Sequence, residues 1–224
     1  MRQAVLTCGP YAAGSVNYYV TSATPVSGTA LTLAHTTAPD APLARRILLT
    51  YGNEASARTL VLTGTSQNGD IITETLAVPS GGSGTVVSVL DYLTLTSALP
   101  LGSGWTAAAT LGTVTSGTNT PVASSPLWRA DDWGFPEITL QAVVTGTVTY
   151  TVETSLDDPN VVLPMISVAP ASMTWQPTTL AGNSTNAQEV ILGKPLWIRL
   201  TINSATATSG SAALTIVQAG GKLG

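Results

Sequence analysis

Apolar and polar residues alternate along most of this chain with a period of two, the spacing of a β-strand that turns one face to a core and the other to water. The clearest run is Thr147-Val148-Thr149-Tyr150-Thr151-Val152. Comparable runs of β length, rich in Thr, Val, Ile and Leu and bounded by turn formers, occupy 30–33, 46–51, 58–65 and 71–78. Asn68-Gly69 lies between the last two and tolerates positive φ, which predicts a hairpin joining 58–65 to 71–78. Further strands are predicted at 85–90, 92–98 and 106–115, and Pro79-Ser80-Gly81-Gly82-Ser83-Gly84 reads as a flexible loop by composition. No segment of ten residues or more carries a helical period.

The alternation lapses over 116–126, which holds two prolines, and then restarts. Strands at 137–144 and 147–154, separated by Thr145-Gly146, predict a second hairpin, and later strands fall at 190–192, 196–202 and 213–218. The pattern therefore predicts an all-β fold of two β-sandwich domains, jelly-roll or Ig-like, in tandem. The expected division is an extended N-terminal arm over 1–29, a first sandwich over 30–117, a linker over 118–126 and a second sandwich over 127–224. Within 196–202, Leu196, Ile198, Leu200 and Ile202 share one face and Trp197, Arg199 and Thr201 the other. If only one face is core, Trp197 and Arg199 either lie under a neighbouring loop or meet another molecule.

Composition sharpens this picture. Only 8 basic and 12 acidic side chains occur in 224 residues, a net charge of −4, so Thr, Ser, Asn and Gln carry the polar surface that charges supply in an ordinary domain. The longest basic cluster is Arg45-Arg46, so neither nucleic acid nor an anionic membrane is expected as a partner. No apolar run approaches the ~18 residues of a membrane span, and the apolar stretch within the first ten residues is too short to predict an export signal. The single Cys8 excludes an intrachain disulfide and a cysteine zinc site.

Candidate chemistry is sparse. His35 is the one histidine, and Cys8 has no neighbouring base to activate it. Asp131-Asp132 and Asp157-Asp158 are the carboxylate pairs that glycoside hydrolysis or a hard cation would need, but neighbouring aspartates on a strand point to opposite faces and in loops they cap turns. No catalytic residue, cofactor or metal is predicted, and the chain is not expected to be an enzyme. Five tryptophans stand against one phenylalanine, and Trp128 and Trp133 flank Arg129, Asp131 and Asp132. They either form a sugar-binding platform or cover the open end of the second sandwich. Tyr18 and Tyr19 on the arm, with Trp128, Trp133, Trp197 and Arg199, are the candidate interface or glycan contacts.

These strand motifs resemble a family of tailed-phage virion structural proteins over most of the chain. The first block is Arg45-Arg46-Ile47-Leu48-Leu49-Thr50, Leu60-Val61-Leu62-Thr63-Gly64-Thr65, Asn68-Gly69, Thr73-Glu74-Thr75-Leu76 and Tyr92-Leu93-Thr94-Leu95-Thr96-Ser97. The second is 128–136, Val144-Thr145-Gly146-Thr147-Val148-Thr149-Tyr150-Thr151-Val152-Glu153, Asp157-Asp158-Pro159, Pro195-Leu196-Trp197-Ile198-Arg199-Leu200-Thr201 and Leu214-Thr215-Ile216-Val217-Gln218-Ala219-Gly220, with a departure in the long segment 161–189. The resemblance implies a virion component, most simply a decoration or cement subunit on the major capsid protein, alternatively a neck, tail or fibre accessory, for which the tryptophan cluster around Trp128 and Trp133 offers carbohydrate binding as one option. It implies a homo-oligomer that contacts other virion proteins, with the arm and the tail 218–224 as intersubunit clamps, and it brings no active-site residue.

Overall fold

The computed structural model describes residues 2–102, 104–114, 122–130, 137–159, 170–205 and 209–218. Along these the chain forms β1 (Arg2–Cys8), β2 (Val20–Ala23), β3 (Arg45–Glu54), β4 (Arg58–Thr65), β5 (Ile71–Val78), β6 (Gly82–Tyr92), β7 (Thr94–Leu101) and β8 (Ala109–Thr113). There follow β9 (Ala123–Ser124), β10 (Trp128–Arg129), β11 (Glu137–Thr145), β12 (Val148–Ser155), a 3-10 turn at Pro170–Ser172, β13 (Gln176–Pro177), β14 (Ala187–Leu192), β15 (Trp197–Ala205) and β16 (Ser211–Gln218). The fold is all-β, as the alternation predicts, and its strand pairs are antiparallel.

Two compact units emerge, an internal one of Ala12–Ser116 and a terminal one that joins Met1–Tyr11 to Gly117–Gly224. In the internal unit a sheet ordered β2-β8-β3-β6 faces one ordered β5-β4-β7. Tyr19, Ile47, Leu49, Leu60, Leu62, Leu76, Leu95 and Leu111 fill the space between them. The predicted hairpin is present, β4 pairing with β5 from Arg58↔Val78 to Thr65↔Ile71 around Gly69, whose φ is 87°. Gly64 sits where β7 shifts register, and a Cβ there would overlap the Thr94 carbonyl. The glycine-rich 79–84 stretch is not all loop. Gly82 to Gly84 open β6 against the end of β3, and a Cβ on Gly84 would lie 2.7 Å from the Tyr51 hydroxyl oxygen, so the small residue leaves room for that ring. The expected strand at 30–33 does not form; that segment is fastened to β7 by Leu31 N–H on the Ala98 carbonyl at 2.9 Å.

In the terminal unit the sheet β1-β16-β11-β14 packs on a second in which β10, β15, β12 and β13 follow one another and β9 also pairs with β15. Ile138, Leu140, Leu214 and Ile216 of the first and Tyr150, Val152, Ile198, Leu200 and Ile202 of the second are buried. Three expectations change here. The stretch 1–29 is not one free arm: Arg2–Cys8 pairs along its whole length with β16, from Arg2↔Gln218 to Cys8↔Ala212, because Leu6 and Cys8 supply an inward apolar phase. The segment 118–126 is not all linker, since β9 lies buried against β15 with Val122 N–H on the Ile202 carbonyl at 2.7 Å. Strands β11 and β12 do not form a hairpin; Gly146, at φ 69°, carries the chain from one sheet to the other, where each strand finds partners distant in sequence.

Candidate interface

The residue pairing of β1, β16, β11 and β14 lines up their side chains in rows across the outer face of the sheet. Gln3, Val217, Thr139 and Val190 make one row, and Val5, Thr215, Gln141 and Gln188 the next. Thr7, Ala213 and Val143 make a third, and Leu192 lies beside Glu137 at the rim. In each strand the outward phase is exposed or half-exposed and the inward phase, Arg2 at the start of β1 apart, buried or half-buried. Leu192 is 82% exposed, Val5 57%, Val190 53% and Val143 43%. Four exposed aliphatic side chains distinguish this face from a solvated sheet face, which ordinarily carries polar residues. Among the described residues Glu137 is the one ionisable group in these rows. The signal for it was present in the sequence as the phase opposite to the core, where Val143, Val190 and Leu192 interrupt Thr and Gln.

The charged groups are used elsewhere, within the two units. Arg199 on β15 is buried and donates through Nε to Glu153 Oε2 of β12 at 2.7 Å, while its guanidinium lies 4.0 Å from the centre of the Trp175 ring. Glu153 Oε2 also accepts from the Thr201 hydroxyl at 2.9 Å. In the internal unit Arg45 is buried, pairs with Asp40 and donates to the carbonyls of Ala12 at 3.0 Å and Val114 at 2.9 Å. Glu54, also buried, accepts from Thr106 N–H at 3.1 Å and Ala107 N–H at 3.2 Å. Glu74 of β5 accepts Val89 and Leu90 N–H of β6 at 2.7 and 3.0 Å. Burial raises its carboxyl above the usual value near 4.5, the two N–H donors and Arg46 opposing it without cancelling it.

The residues singled out from sequence are mostly interior. Tyr19 is fully buried in the core of the internal unit, its phenol pushed far above the usual range by burial, so it is not an arm tyrosine waiting for a neighbour. Tyr18 is half-buried and stacks on exposed His35 with ring centres 4.4 Å apart. Trp128 and Trp197 are buried, and each has an arginine over its ring, Arg2 at 5.1 Å and Arg129 at 6.0 Å. Covered in this way, Trp128, Trp197 and Arg199 cannot serve as an open platform, and the intramolecular alternative for 196–202 is the one observed: both faces of the central strand β15 are covered. Trp133, Asp131 and Asp132 lie outside the described residues. Asp157 and Asp158 diverge, the first accepting Thr174 N–H and the second lying 3.8 Å from Arg129. Cys8 is a core side chain whose sulfur accepts the Tyr11 hydroxyl at 3.4 Å. Among the described residues no three His, Cys, Asp or Glu side chains gather as metal ligands would, and no helix is long and apolar enough to cross a membrane.

The fold and this face define an all-β protein of two sandwich units with an exposed, nearly uncharged sheet. No protein-family model matches the chain, and no curated protein does. Among solved structures it is similar to the PBSX exported protein XepA, with a TM-score of 0.32 and 10% identity over 94% of this chain and 90% of that one. Similarity at that level assigns neither family nor activity.

Proposed function

We propose that this chain is a non-enzymatic structural component of a tailed-phage virion, a decoration or cement subunit that binds the major capsid protein. The observation that supports the reading is where the charge goes. Of the 8 Lys and Arg, the side chains of Arg45, Arg46, Arg58 and Arg199 are buried, and the described residues on the outer face of the terminal unit's first sheet are, Glu137 apart, hydroxyl, amide and aliphatic. A protein kept apart in solution gains from surface charge, whereas one held permanently in an assembly gains from neutral, flat, pairable surface. The quoted strand motifs that resemble virion structural proteins supply strands of both units, among them β3, β4, β12, β15 and β16, and of these β16 belongs to that outer sheet.

Antibody-gold electron microscopy on particles from the source host tests this directly. Label spread over the head is the expected result. Label confined to the neck or tail would replace the decoration role by that of a tail accessory, and unlabelled particles would overturn the virion reading.

A further inference from the structure

We infer that the outer face of the sheet β1-β16-β11-β14 is the seat of a second copy of this chain, the two faces packing sheet on sheet. The inference deepens the structural reading above and rests on it for its biological setting, but it concerns the isolated protein. It begins from the placement of the four exposed aliphatics. Val5 is on one edge strand, Val190 and Leu192 are on the other, and Val143 lies between. The outer strands of a four-stranded sheet are about 14 Å apart. A strand added to the β14 edge would cover Val190 and Leu192 and leave Val5 in water; one added to β1 would do the reverse. Only a partner lying across the face covers all four.

The chemistry of the face selects its own copy as that partner. A surface rich in Lys or Arg repels its copy, and one rich in Asp or Glu does the same. Here the rows hold Gln3, Thr7, Thr139, Gln141, Gln188 and Thr215 around the aliphatics, and hydroxyls and amides both donate and accept. Such groups pair across a two-fold axis, where each residue type meets the same set. Glu137, the one ionisable group in these rows among the described residues, is exposed at the rim beside Leu192, where it keeps its water. Among the described residues these rows offer no cation to an acidic partner and no acidic cluster to a basic one.

The size also fits. Four strands about 4.8 Å apart and about seven residues long at 3.4 Å per residue span roughly 19 by 24 Å, close to 450 Å² in plan. Two copies remove about twice that before side-chain relief is added, which brings the contact to the lower end of specific interfaces, near 1,000–1,200 Å². Two stacked sheets about 10 Å apart would interdigitate Val5, Val143 and Val190 as the two sheets inside each sandwich interdigitate their own side chains.

Sedimentation velocity of the full chain from low to high micromolar concentration provides the test, with Val5→Lys and Val143→Lys beside the wild type. Thr73→Lys, an exposed change on β5 of the internal unit, is the control, and thermal unfolding checks that each variant is folded. The wild type is expected to populate a dimer, and Thr73→Lys to dimerise equally. Each valine variant should weaken dimerisation by at least about tenfold, because two apolar contacts are lost per dimer and like charges are brought together. A wild type that stays monomeric throughout, or folded valine variants that dimerise as strongly as the wild type, would overturn the proposal. Neither outcome touches the gold-labelling result, so failure here and failure of the virion role remain distinguishable.

Discussion

Each unit contains a buried arginine on a central strand, and the two are held in different ways. In the internal unit Arg45 spends its donors on the Ala12 and Val114 carbonyls as well as on Asp40, so one side chain ties β3 to two other segments of backbone. In the terminal unit Arg199 meets the Glu153 side chain on the neighbouring strand under the Trp175 ring. The difference is in what remains after the arginine is removed. Backbone carbonyls cannot turn away, and the Asp40 side chain, which also accepts Ala12 N–H, is 7% exposed, whereas that of Glu153, which also accepts the Thr201 hydroxyl, is 20% exposed. The internal unit is locked through its backbone, while the terminal unit is braced by side chains that can adjust.

The largest effect that would sharpen this contrast is expected from Arg45→Met. Leaving Asp40 and two carbonyls buried without their cation should cost about 3–5 kcal/mol. Hydrogen exchange of the β3 and β8 amides would report it, and a loss below about 1 kcal/mol, the size of an ordinary hydrogen bond, would break the comparison. Arg199→Met should cost less, about 1–2 kcal/mol, since Met preserves packing against Trp175 and Glu153 can turn to water. Urea unfolding followed by tryptophan fluorescence is suited to that measurement, because Trp128, Trp133, Trp175 and Trp197 all belong to the terminal unit. A cost equal to that of Arg45→Met would count against the distinction.

The smallest effect concerns Glu74, another side chain of the internal unit that grips backbone. Its folded pKa is raised above 4.5, chiefly by burial, so the fold favours the protonated form. The stabilisation from protonating this group is fully present below the ordinary value near 4.5 and is lost as pH rises through the higher folded value. Relative to Glu74→Gln, the wild type should therefore gain thermal stability as the pH is lowered through that window. Paired melting curves at a series of pH values would show it, and a constant or opposite difference would mean that the N–H bonds from Val89 and Leu90 outweigh the burial.

Local features were legible in the sequence and long-range ones were not. The β4–β5 hairpin follows from two alternating runs and Asn68-Gly69, all within about twenty residues of chain. The same reasoning applied to 137–154 predicts a hairpin that does not form, because alternation specifies which face a side chain takes and says nothing about which strand lies alongside. Strand β1 escaped notice for a related reason: its partner β16 lies at the other end of the chain, and Arg2-Gln3-Ala4-Val5 reads as polar until Leu6 and Cys8 are seen facing inward. At the candidate sites the sequence shows which tryptophans and arginines are present but not how they are covered. Trp197 and Arg199 lie on the phase opposite to Ile198 and Leu200, and only the arrival of Trp175 and Arg129 from elsewhere makes that phase interior too.

The pairing of β1 with β16 has a consequence for synthesis. The ribosome makes Arg2–Cys8 long before Ser211–Gln218, so β1 has no partner strand until β16 has been synthesised. The internal unit, whose strands all lie between residues 20 and 113, can close while later segments are still being made. The terminal unit must wait, with Leu6 and Cys8 uncovered, for the strand that finishes it.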